Sequence, residues 1–362
     1  MHFSSPKNRT LIIAEAGVNH NGSLALAKEL IDCAYDAKAD VVKFQTFQAK
    51  HLVTRAAQKA PYQIENTGKN SAQFEMLKEL ELTKENHFVL KEYCEKKGIG
   101  FLSTPFDVNS AKFLIQELGL SFLKIPSGEL TNAELLVEVA RLKIPLILST
   151  GMSDVDEIWR ALNFLAFGYL DANTPATNEH ISQTLNHERI TSLLKNLVTL
   201  LHCTTQYPTP HEQANLKAIP SMRLTFDLNV GYSDHTLGIS ASLAAVALGA
   251  QVIEKHFTLN RNLPGPDHRA SLEPIELQAL VQGIREVEVS LGSGEKRPNS
   301  VELPNLPIAR KSLVAAAPIQ KGEVFTRKNL TTKRPGTGIS AFEYWNWLGK
   351  KSTNDYEEDD LI

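Results

Sequence analysis

Two histidines end short apolar runs in this chain: His235 in VGYSDHT and His256 in VIEKHFTL. Imidazole is a ligand for Mn, Fe, Co or Zn, with carboxylate, water or substrate filling the remaining positions. Residue type alone equally allows two hydrogen-bonding histidines that order a rim. His202, His268 and His20 are rival imidazoles. Two lysines, Lys43 and Lys124, end other apolar runs, with Ser127, Ser149, Thr150 and the IPSGE and STGM turns nearby. Ammonium groups beside hydroxyls and turn N–H groups suit a phosphate or a carboxylate. A substrate carrying both would use both lysines. The same lysines can instead pair with Glu15, Glu129 or Glu254, or one of them can form a Schiff base if its pKa is depressed.

These groups need elements that bring them together. Apolar segments expected as strands are 11–17, 41–47, 99–106, 121–129, 144–151, 197–204, 229–236 and 250–258. Continuous Val/Ile/Leu runs mark strands buried on both faces. Helical spacing follows the first run, where Leu24, Ala27, Leu30, Ile31 and Ala34 share a face and Ser23 can cap the first turn. Further helices are expected at about 71–97, 107–118, 132–142 and 274–290. Another starts after a capping-box pattern, Ser153 with Asp156. Residues 48–70 read as a long polar loop and 168–187 as a polar surface insertion. Eight strands alternating with helices predict a (β/α)₈ barrel.

In such a barrel the strand C-termini share one mouth. Read in order, they offer Glu15; Lys43 and Gln45; Ser103 and Thr104; Lys124, Ser127 and Glu129; Ser149 and Thr150; His202 and Thr204; Ser233, Asp234 and His235; and Glu254, Lys255 and His256. Burying so many polar groups unpaired would be costly, which points to a function.

The boundary lies near residue 292, where GSGEKRPNSVELPNLPIA is rich in Gly, Pro and polar residues. The expected division is a barrel over 1–291, a linker over 292–305 and a small domain over 306–362 with little regular helix. Arg334 sits there in a Pro/Gly turn, KRPGTGIS. The acidic end, STNDYEEDDLI, can fray or dock through Leu361 and Ile362.

The whole chain has 362 residues, with 38 Lys+Arg against 41 Asp+Glu and a net charge of −3. That balance gives no bulk attraction to nucleic acid or an anionic membrane. Three cysteines without paired spacing argue against a disulfide framework and fit a reducing cytosol. The first residues carry no apolar secretion signal, and no apolar run approaches the roughly 20 residues of a membrane helix. The expected location is the cytoplasm.

The motifs IIAEAGVNHNG, DVVKFQTF, FLSTPFD, KIPSGE, ILSTGM, LHCTTQYPTP, GYSDHT, VIEKHFT and PGPDHRAS, with NLTTKRPGTGIS in the tail, resemble the sialic acid synthase family over nearly the whole chain. The resemblance implies a TIM barrel followed by an antifreeze-like (SAF) domain. It implies condensation of phosphoenolpyruvate with an open-chain N-acetylated hexosamine and release of phosphate. A divalent metal, Mn²⁺ or Mg²⁺, would be held by His235 and His256. Lys43, Lys124, Ser127 and Ser149 match phosphoenolpyruvate-gripping positions. Glu15 and Glu129 match acidic positions near the reacting groups, and Tyr207 and Asp267 match sugar-side loops. Gln45, Thr104, His202, Thr204 and Ser233 are expected beside the substrates as strand-end groups. Arg334 matches an arginine donated by the tail domain of a partner subunit, which implies a homodimer. The expected sugar is the 2,4-diacetamido-2,4,6-trideoxy hexose that gives N,N'-diacetyllegionaminate, with N-acetylmannosamine as the alternative. Rivals from other classes are a metal-free Schiff-base aldolase and a non-catalytic sugar- or ice-binding protein.

Overall fold

The computed structural model describes residues 9–67, 72–170, 177, 181 and 187–362. The chain forms two compact units, one ending at Gly292 and one beginning at Ser293. The Gly/Pro-rich run after 292 therefore belongs with the second unit.

The first unit holds eight parallel strands: β1 (Leu11–Gly17), β2 (Val41–Thr46), β3 (Gly100–Pro105), β4 (Leu123–Ile125), β5 (Leu146–Ser149), β6 (Val198–Cys203), β7 (Asn229–Asp234) and β8 (Val252–His256). They hydrogen-bond in the order β3-β2-β1-β8-β7-β6-β5-β4. β3 and β4 lie side by side and complete the ring without a ladder. β4 is only three residues long and runs into Pro126, which has no N–H to donate. Apolar residues from the strands and the surrounding helices form one core, from Ile12 and Val42 through Leu148 and Ile253 to Leu280 and Ile284.

Helix starts follow local chemistry. Ser23 accepts from the N–H of Leu26 and starts Leu24–Asp36. Asn132 does the same for Ala133–Arg141. Glu273 and Glu276 form a capping box before Pro274–Ser290, with Pro274 in the first turn. Several expected spans are corrected. The 71–97 region is two helices, Gln73–Glu79 and Lys84–Lys97, because Thr83 caps the second. The 48–70 loop contains two short helices, Ala49–Leu52 and Pro61–Thr67. The capping box before Val155–Leu170 uses Asp154 and Glu157, which exchange backbone and side-chain bonds, rather than Ser153 and Asp156. Most of the 168–187 insertion lies outside the described residues. Helices Ala218–Phe226 and His187–Leu194 carried no expectation.

The second unit pairs β9 (Ser312–Ala315) antiparallel with β10 (Leu330–Lys333). Its core is Leu313, Ala315, Ile319, Phe325 and Leu330, flanked by Trp347 and Tyr356. The acidic end docks: Leu361 bridges Val314, and the N–H of Ile362 donates to the carbonyl of Leu313. Among the described residues no helix is long and apolar enough to cross a membrane.

Candidate active site

Strand register sets the first contacts. Glu15 lies opposite Lys43 on one side and His256 on the other. Ser233 lies opposite Glu254, and Gln45 opposite Thr104. Side chains alternate along each strand, so these residues share the inner face of the ring. Lys43 Nζ lies 2.5 Å from Glu15 Oε2, 3.5 Å from Glu254 Oε2 and 3.0 Å from Thr104 Oγ1. Lys124 Nζ lies 3.3 Å from Glu254 Oε1, which also accepts from Ser233 Oγ at 2.8 Å. Gln45 Nε2 donates to Glu15 Oε1 at 3.4 Å. The lysines are therefore paired, with Glu15 and Glu254 and not with Glu129.

Burial and charge oppose each other here. Burial pushes the Glu15 carboxyl up to about 7 against the pull of Lys43. Burial also tends to raise Glu254, but the two ammonium groups outweigh it and hold Glu254 below the usual carboxylate range. Burial presses Lys43 down, and the two carboxylates more than offset that, so its ammonium form is reinforced.

Beside this network a second group surrounds Gly151. A Cβ there would meet Thr205 Oγ1 at 2.4 Å, Ser127 Oγ at 2.8 Å and Cys203 Sγ at 3.0 Å, so only glycine fits. Ser127 Oγ accepts from the Gly151 N–H. The buried hydroxyls of Ser149 and Thr205 have no protein partner. Buried polar atoms are normally satisfied, so these two suit a ligand's oxygens.

On the other side stand the two imidazoles, with ring centroids 5.7 Å apart. His235 Nδ1 donates to the carbonyl of Thr204 at 2.7 Å, which leaves Nε2 with its lone pair. Burial lowers His235 to about 4, and burial with the neighbouring His235 holds His256 well below the ordinary 6.5, so both rings are neutral at pH 7. His256 Nδ1 is buried without a hydrogen-bond partner. Among the described residues no three His, Cys, Asp or Glu side chains gather into a metal-binding group. Two neutral imidazoles still fit a divalent ion that takes its other ligands from water and substrate. At metal–nitrogen distances of about 2.1 Å, two rings on one ion have centroids within roughly 6 Å of each other. The Tyr207 ring lies tilted against His235, with centroids 4.1 Å apart, and meets His256 edge-on at 5.7 Å. Asp267 Oδ2 lies 4.0 Å from His256 Nδ1, and burial pushes its carboxyl up to about 6.

The side chains of three expected residues, His202, Thr204 and Glu129, bond to groups outside this cluster. His202 is turned to the other face of β6, where it stacks on Tyr232 and donates to the carbonyl of Ala214. Strand alternation gives that inner position to Cys203 instead. Thr204 turns its hydroxyl to the carbonyl of Gln213, and the side chain beside Gly151 is that of Thr205. Glu129, in the turn after β4, accepts from Asn132 Nδ2 at 2.7 Å and is half-buried. Burial raises its pKa. Arg334 lies in the second unit, exposed, with Nε donating to the carbonyl of Ala309. Three residues were not expected beside a substrate: Thr205, Cys203 and Tyr62, whose ring packs 5.1 Å from Tyr207. Glu254 was visible only as a possible counter-ion, yet it joins both lysines.

Comparison with known proteins shows the family. The NeuB family profile matches residues 30–296 and that of the SAF domain matches 310–362. The N,N'-diacetyllegionaminic acid synthase of Campylobacter jejuni is 51% identical over 98% of this chain and 99% of its own length. The enzyme of the same name from Legionella pneumophila is 46% identical over 94% of this chain and 89% of its own. The solved N-acetylneuraminic acid synthetase of Leptospira borgpetersenii superposes with a TM-score of 0.66 at 35% identity, over 82% of this chain and 90% of that one. The chain, a parallel α/β barrel followed by an SAF domain, belongs to the NeuB family.

Proposed function

We propose that the chain condenses phosphoenolpyruvate with open-chain 2,4-diacetamido-2,4,6-trideoxymannose, giving N,N'-diacetyllegionaminate and phosphate. As a NeuB-family protein it is a phosphoenolpyruvate-dependent synthase that forms a C–C bond. The observation that carries the site assignment is one cluster holding two buried lysines, unpartnered hydroxyls and two neutral imidazoles. The choice of sugar rests on likeness to the two legionaminic acid synthases.

C3 of phosphoenolpyruvate forms a bond to the sugar's aldehyde carbon, and the aldehyde oxygen gains a proton. Water adds at C2, the bond from C2 to the phosphate oxygen breaks, and inorganic phosphate leaves. Lys43, Lys124 and Thr104 hold the anionic groups, with Ser127, Ser149 and Thr205 as hydroxyl partners. Glu254 keeps both ammonium groups aimed inward. Glu15, raised to about 7, is suited to move a proton near neutral pH, and Glu129, raised by burial, is the second proton carrier of this reading. Tyr207 and Asp267 line the sugar side. His235 and His256 would hold Mn²⁺ or Mg²⁺, and imidazole favours Mn²⁺ of the two. When bound, the ion polarises the sugar's carbonyl.

The working unit is a homodimer in which Arg334 of one protomer enters its partner's barrel. The reaction is placed in the cytoplasm, in keeping with three free thiols, Cys33, Cys94 and Cys203. The test is phosphate release from phosphoenolpyruvate with Mn²⁺ and each sugar in turn, followed by product mass. Release with the 2,4-diacetamido sugar and little with N-acetylmannosamine is expected. The reverse preference would overturn the choice of sugar, and no release with either would overturn the reaction.

A further inference from the structure

The ladder between β7 and β8 ends at the rung Asp234–Lys255. The next residue on each strand is an imidazole, His235 on one and His256 on the other. Beyond that rung β7 and β8 no longer pair with each other: His256 pairs with Glu15 of β1, and Thr236 bridges Thr209.

The rung itself is reinforced on the outer face. Lys255 Nζ lies 3.0 Å from Asp234 Oδ2, and both side chains are wholly buried, at 1% and 0% exposure. Asp234 Oδ1 accepts from the backbone N–H and the hydroxyl of Thr236, each at 2.8 Å. Lys255 Nζ donates to the Thr236 carbonyl at 2.5 Å. All three polar groups of Thr236 are thus held by the pair. Ser242 Oγ donates to Asp234 Oδ2 at 2.6 Å and ties the cluster to the helix Ser240–Ala247. His235 is therefore clamped from Asp234 before it and Thr236 after it, and the clamp is anchored by the residue that precedes His256.

A buried ion pair is no more stabilising than apolar residues of similar volume that pack well. Its use here, on the rung next to both imidazoles, is explained by position. We propose that Asp234 and Lys255, with Thr236 and Ser242, are positioning residues that set the separation of His235 and His256 for a divalent cation. The polar partners of Asp234 and Lys255 are each other, Thr236 and Ser242, so the pair acts through the two rings. The inference rests on the reading of His235 and His256 as a metal pair.

The experiment measures Mn²⁺ binding directly, by the electron paramagnetic resonance signal of free Mn²⁺, in the full-length native protein and in Lys255→Met and Ser242→Ala. Visible spectra of the Co²⁺-loaded proteins report ligand geometry. Lys255→Met is expected to raise the Mn²⁺ dissociation constant about 10- to 100-fold and to shift the Co²⁺ bands. KM for phosphoenolpyruvate at saturating Mn²⁺ should stay unchanged. Ser242→Ala, which removes one bond to Asp234, should move affinity in the same direction by less. A purely structural role would lower the melting temperature and leave the affinity of the folded protein alone. Native-like Mn²⁺ affinity in the folded variants overturns the inference; if Lys255→Met does not fold, Ser242→Ala decides. A native protein that binds no Mn²⁺ overturns the metal reading as well, so the two failures are distinguishable.

Discussion

At the scale of single residues, Glu254 has the largest electrostatic task. It offers one buried carboxylate to two buried ammonium groups. Removing one partner of a buried ion pair leaves the other charge uncompensated. Glu254→Gln keeps the bond from Ser233 and loses the charge. It should lose on the order of 3 kcal/mol of stability. Added phosphoenolpyruvate should then raise the melting temperature more than it does in the native protein, because the substrate's charges replace the missing one. Thermal shifts with and without substrate check both expectations. Glu129 gives a pH-dependent case. Burial raises its pKa above the ordinary 4.5, so the folded chain holds that proton more tightly than the unfolded chain. Its contribution is fully present below the unfolded value and declines as pH rises through the folded one. Glu129→Gln removes that decline, so the melting temperature of the variant relative to native should be higher at pH 8 than at pH 4. The same substitution should lower kcat about 100-fold if Glu129 moves a proton in the reaction. Unchanged kcat at saturating metal and both substrates would refute that role.

At the scale of elements, the strand ends were legible because parallel strands buried on both faces read as unbroken apolar runs. What the runs conceal is which face each residue takes. In LVTLLHCT both faces are apolar, so nothing in the sequence says that Cys203 turns inward and His202 outward. The same ambiguity shifted the expected hydroxyl from Thr205 to Thr204. The 48–97 region was the least legible. Three of its helices, Ala49–Leu52, Pro61–Thr67 and Gln73–Glu79, have only 4, 7 and 7 residues, too short for side-chain period to set them. The helix Pro61–Thr67 shows what packing achieves. Asn66 Nδ2 donates to the Pro266 carbonyl at 2.6 Å, next to Asp267, and Tyr62 packs on Tyr207. The helix thus braces the ring that lies against His235. An aromatic pair is worth about 1 kcal/mol beyond its buried area. Tyr62→Ala should therefore raise KM for the sugar roughly 5-fold and leave KM for phosphoenolpyruvate unchanged, as steady-state kinetics with each substrate varied would show.

At the scale of the whole molecule, the proposed homodimer makes a testable demand on Arg334. Lys43, Lys124, Glu254, His235 and His256 all belong to the first, and Arg334 alone to the second. Arg334 is exposed in its own unit, with a backbone carbonyl as partner rather than a carboxylate. An arginine available in this way suits a substrate anion on another surface. In a symmetric dimer with exchanged tails, each site would combine one protomer's barrel with its partner's Arg334. Lys43→Met and Arg334→Ala should each be inactive as homodimers. When the two are mixed and allowed to exchange subunits, half of the dimers are mixed. Each mixed dimer then has one site with both Lys43 and Arg334 intact, so about a quarter of native activity should return. If each chain served its own barrel, every site in the mixture would lack one of the two residues, and no activity would return.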